Sequence, residues 1–174
     1  MEKEQASFLL STVYLPAIRH EQSVTASVIG AIPAAKCDYR PDEISRSALE
    51  LAWHIASAEM RFMDAVAAGT FDLSPNPRPE SLQTPGDVLA WYKTNSEPRL
   101  RKLENISAEQ LAKIVDFRGR LQLPAVMCLA IMLNHSVHHR GQLSAYLRPM
   151  GAKVPAIYGE SYDSAQARMA AHHS

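Results

Sequence analysis

The stretch Asn134–Leu143, NHSVHHRGQL, places three of the chain's seven histidines, His135, His138 and His139, within five residues. The segment around it otherwise reads as a buried helix. Pro124 opens that helix, apolar residues recur along it to about Leu147, and Pro149 and Gly151 stop it. Helical spacing puts His135 and His139 on one face, about one turn apart. Two rings so placed can grip one divalent cation from two sides. The same spacing also arises on helices that bind nothing. His138 points about 100° away from His139 and is a poor partner for the same ion. Cys128 lies seven residues before His135, about 10.5 Å along the axis, and reads as a small core residue.

Two side chains hold a metal weakly, so a third ligand is expected from another helix. A second helix begins near Ser47, where SALE (Ser47–Glu50) fits a capping box. Leu51, Ile55, Phe62 and Val66 follow at helical spacing, and Gly69 marks the end. His54 borders this apolar face and is the best third ligand. A lone histidine there also reads as a hydrogen-bonded core residue. His20 is the other option on a helix, but Arg19 and Glu21 flank it in a polar patch. His172 and His173 fall in the tail.

The remaining chain is also mostly helical in pattern. A first helix runs from roughly Glu4 to Ile32, with Pro16 expected to kink or restart it. The Pro-rich segment Asp72–Asp87 links the second helix to a third, which Thr84 caps and Pro85 opens, and which runs to about Leu103. Ser107–Gln110, SAEQ, caps a short helix. KIVDFRGRLQL (Lys113–Leu123) reads as a small hairpin or an irregular loop around Gly119. The tail from about Ala152 lacks periodicity and is expected to be irregular, within a single domain spanning 1–174. Four long helices with little strand signal suggest a helical bundle, an architecture that builds metal sites from facing helices.

Composition narrows the function. The formal net charge is zero, and the one mixed-charge stretch, EPRLRKLE (Glu97–Glu104), alternates acids and bases. That argues against a nucleic-acid partner. No apolar run nears the length of a membrane span. Two cysteines outside any CxxC pair fit a cytoplasmic setting. No H-E-x-x-H frame or nucleophile motif accompanies the histidines.

Two blocks together carry a resemblance. IPAAKCDYRPDEISRSALELAWHIASAE (Ile32–Glu59) and NHSVHHRGQLSAYLRPMG (Asn134–Gly151), in this order and separation, resemble the DinB family, also described as DinB/YfiT-like. The resemblance implies an all-α, four-helix bundle of up-down-down-up topology. It implies a divalent metal, zinc or nickel, held by His54, His135 and His139, and a homodimer. It also implies a small-molecule substrate, since some relatives run transferase or isomerase chemistry on low-molecular-weight thiols such as bacillithiol or mycothiol. The expected activity is thus a metal-dependent, thiol-using S-transferase or a related hydrolase. The alternative is a non-catalytic stress or interaction protein in which the metal is structural. Arg140 and Gln142 flank His139. Gln142 could orient a bound water or ligand, and Arg140 is expected to anchor the tail through Glu160 or Asp163.

Overall fold

In a computed structural model, residues 1–171 are described, and His172 and His173 lie outside them. The first helical arm comprises α1 (Lys3–Phe8), a π-helical turn (Leu9–Tyr14) and α2 (Leu15–Gly30). Pro16 explains the change of winding. Without an N–H it cannot bond back into the preceding turn, and the chain widens: the Leu15 N–H reaches the Leu10 carbonyl, five residues back. The arm continues beyond Pro16 instead of breaking.

α3 (Ala48–Ala68) starts and stops as its sequence dictates. The Ser47 hydroxyl accepts from the Glu50 N–H, and Glu50 accepts from the Ser47 N–H. Gly69 ends the helix in the left-handed region, at φ 75°. Leu51, Ile55, Phe62 and Val66 are all buried. α4 (Pro85–Glu104) is capped by Thr84, with Pro85 in its first turn. The short α5 (Ala108–Ala112) leads into a hairpin of β1 (Ile114–Phe117) and β2 (Leu121–Pro124). These strands pair antiparallel with Phe117 opposite Leu121. Arg118 and Gly119 both take positive φ, 59° and 66°, at the turn. A short 3₁₀ turn then feeds α6 (Cys128–Leu147).

The side-chain contacts give the topology. α6 runs parallel to the first arm: Tyr14 meets Met127, Thr25 meets Arg140, and Lys36 reaches the Met150 carbonyl. α3 runs parallel to α4, with Glu59 on Tyr92 and Asp64 on Arg99. α3 and α6 are antiparallel, since His54 meets His139 while Phe62 packs near His135. The result is an up-down-down-up bundle around one apolar core. Cys128 is fully buried in that core.

The tail departs from expectation. It is irregular only to Ser161, and α7 (Tyr162–Ala171) follows. The Ser164 N–H donates to the Ser161 hydroxyl, a cap the sequence carries but its weak apolar pattern hides. Arg140 does hold the tail, but not through the expected acids. Fully buried, it pairs with Glu21 at 2.6 Å and donates to the Tyr158 hydroxyl. Glu160 instead pairs with Arg168, and Asp163 with Arg148.

Candidate metal centre

His54 is on α3 and His135 and His139 are on α6, the two helices that face each other across the core. The Nε2 atom of His54 lies 3.0 Å from Nε2 of His135 and 3.1 Å from Nε2 of His139. One ligand atom from each ring falls within 4.8 Å of the others. Three nitrogens on a tetrahedral zinc ion, at bonds of about 2.0–2.1 Å, would stand roughly 3.3 Å apart.

Protons make this arrangement informative. A neutral imidazole carries one N–H. The His139 Nδ1–H donates to Oε1 of Gln142 at 2.7 Å, so its Nε2 presents a lone pair to His54. His54 Nε2 has one proton at most to share between two facing nitrogens. At most one of the two contacts can then be a hydrogen bond, and at least one brings two nitrogens together with no proton bonding them, which a shared cation resolves.

The electrostatics keep the rings neutral. Burial first, then the nearby positive charge of Arg46, holds His54 down to about 3. Burial, then His139 and His138, holds His135 down to about 4. Burial also lowers His139, against the opposing pull of Gln142. Neutral imidazole is the metal-binding form.

The other candidates stand apart. His138 is exposed, its ring 4.8 Å from that of His139. His20 is exposed, on the first arm. Glu59, also on α3, is buried and accepts from the Tyr92 hydroxyl at 2.6 Å. Gln142 accepts from His139 Nδ1 and so fixes the tautomer of that ring, a role its place one turn along could have suggested.

A cleft of about 450 Å³ opens beside His54 and His135. Phe62, Phe71 and Phe117 line it, along with Arg61, Asp72 and Arg118. No sequence pattern flagged it, because it joins α3, the segment after Gly69, the hairpin and α6.

The DinB family model matches residues 5–170. This chain belongs to the DinB family. It is 30% identical over 132 residues to the uncharacterized protein YjoA of Bacillus subtilis (strain 168), covering 75% of this chain and 84% of that protein. A shorter stretch of 49 residues is 39% identical to the uncharacterized protein YrdA of the same organism, covering 28% of this chain and 29% of YrdA. The crystal structure of the DinB-like protein YjoA superposes with a TM-score of 0.69 at 26% identity, over 85% of this chain and 99% of that one. A DinB-like protein from Bacillus cereus shares the fold, with a TM-score of 0.70 at 22% identity over 83% and 95% of the two chains. The DinB likeness thus covers the bundle and both helices that bear the histidines. Among the described residues, no helix is long and apolar enough to cross a membrane.

Proposed function

We propose that the chain is a metal-dependent enzyme acting on a small molecule, with His54, His135 and His139 holding a divalent ion, zinc or nickel. The observation that carries this reading is the proton shortage among three converging Nε2 atoms. A divalent ion held there would supply Lewis acidity, lowering the pKa of a bound water or thiol to neutral or below. Gln142 fixes the ring of His139, and the neighbouring cleft admits a substrate to His54 and His135. The reaction class we favour is S-transfer from a low-molecular-weight thiol of the bacillithiol or mycothiol type. The chain would work as one domain, in a homodimer and in the cytoplasm, in keeping with the family likeness and two free cysteines.

Metal titration of chelator-treated protein tests the site. One ion per chain is expected. His54→Ala should weaken binding by a hundredfold or more, on the order of 3 kcal/mol, and Gln142→Leu by roughly ten- to a hundredfold. Metal-loaded protein is then assayed with bacillithiol, mycothiol and glutathione against electrophilic acceptors. Turnover no faster than the His54→Ala control with every thiol would remove the transferase reading. The second reading is a structural ion stapling α3 to α6, favoured by the ligands' division between those helices. Collapse of the fold on chelation supports it. The buried apolar packing of Leu51, Ile55 and Leu129 argues that the bundle holds without the ion.

A further inference from the structure

The cleft beside the histidines has a chemistry of its own. Phe62, Phe71 and Phe117 form a closed triangle, with centroid separations of 5.1, 5.5 and 5.0 Å. The Phe62 ring lies 6.2 Å from that of His135, so the apolar wall runs from the histidines out to the hairpin. Three charged side chains line the cleft. Arg61 is committed: it donates to the Ser74 carbonyl and stands 3.7 Å from Asp72. Arg118 has no ion pair among the described residues, and its guanidinium sits 5.9 Å from the Phe117 centroid. The cleft therefore carries one uncompensated positive charge, at its hairpin rim.

The backbone at that rim is unusual too. Arg118 holds φ at 59° in a turn whose first left-handed position favours Asn, Asp or Gly. An arginine there accepts a less favourable conformation, a cost of the kind found at ligand-binding positions.

Building on the small-molecule reading above, we infer that this cleft binds an amphipathic carboxylate. Its flat apolar body lies on Phe62, Phe71 and Phe117, its carboxylate meets Arg118, and its other end faces His54 and His135. About 450 Å³ suits a molecule of small-ligand size rather than a peptide or nucleic acid. A guanidinium pairs with a carboxylate through two parallel N–H bonds, which fixes the direction in which the ligand lies.

The test uses zinc-loaded full-length protein and three probes: 3-phenylpropanoate, its neutral amide, and propanoate. Calorimetry at low salt should show the phenyl carboxylate binding about tenfold tighter than either of the others. Arg118→Asn removes the charge with a residue that tolerates the left-handed turn, so the hairpin survives. It should bring carboxylate and amide to within about twofold of each other. Phe71→Ala should weaken both phenyl probes alike. A carboxylate preference that survives Arg118→Asn would overturn the inference, since the anion would then be sitting on the metal. So would equal loss in Arg46→Asn, which removes a charge felt by the histidines but outside the cleft lining. So would zinc uptake with no binding of any probe. Failure to take up zinc at the histidines overturns the metal reading itself and this inference with it.

Discussion

At the scale of residues, the histidines set an acid limit on the metal-free protein. His54 and His135 are held down to about 3 and 4, against 6.5 in an unfolded chain. Below 6.5 the unfolded chain takes up protons that the folded one refuses, so acid favours unfolding. The melting temperature of chelator-treated protein should therefore fall steadily as pH drops from about 6.5 toward 4, and His54→Leu should flatten that slope. Glu59 slopes the other way. Burial raises its pKa above 4.5, so stability drains as pH climbs past that value, and Glu59→Gln should remove the drain. An unchanged profile in the His54 variant would show that the ring is solvated in solution. His135 and His139 were legible because helical spacing alone places them together, and His54 because it borders an apolar stripe. The hydrogen bond from His139 to Gln142 and the pairing of Arg140 with Glu21 were not. Both depend on side-chain direction and on partners distant in sequence, which spacing does not encode.

At the scale of elements, caps were the most readable feature. Ser47, Thr84 and Gly69 act where local backbone chemistry demands them. Pro16 restarts the α-helix as expected, through a π turn that spacing does not announce, and Pro98 sits on the exposed side inside α4, where it withholds a hydrogen bond from the helix. Pro98→Ala should restore that bond. The regained helix, of about 3 kcal/mol at most, is partly offset by a freer unfolded chain, for a net gain of roughly 1–2 kcal/mol in chemical denaturation. A loss of stability would mean that the proline ring contributes contacts that outweigh the missing hydrogen bond. The hairpin was left open between two readings because its strands are only four residues each, too short for alternation to decide. The tail helix escaped notice because it buries none of its residues, and a helix with no apolar face leaves no periodic trace.

At the scale of the whole molecule, the tail is fastened to the bundle through Arg140. Its side chain is 1% exposed, bound to Glu21 on α2 and to Tyr158 beyond α6. Arg140→Met should cost about 3 kcal/mol, at the low end for a broken buried pair because Glu21 keeps some contact with water. It should also quicken tryptic cleavage after Lys153, and a tail that stays protected would place its anchor at Arg148 and Asp163. Bundle topology was foreseeable from family likeness, whereas the cleft was not, since it exists only where four separate pieces of chain converge.

One consequence follows from α3 and α4 pointing the same way. After Gly69 the chain must travel back along the full height of the bundle before Thr84 can start α4. The 21 residues of α3 rise about 31 Å, while the stretch between those points, pulled taut, reaches roughly 53 Å. The slack is only a handful of residues, yet Phe71, Asp72, Leu73 and Asn76 of this same return strap form the outer wall of the cleft. Geometry thus constrains how short the strap can become while leaving its lettering open, so substitutions at Phe71, Leu73 or Asn76 would reshape this wall without touching the histidines beneath.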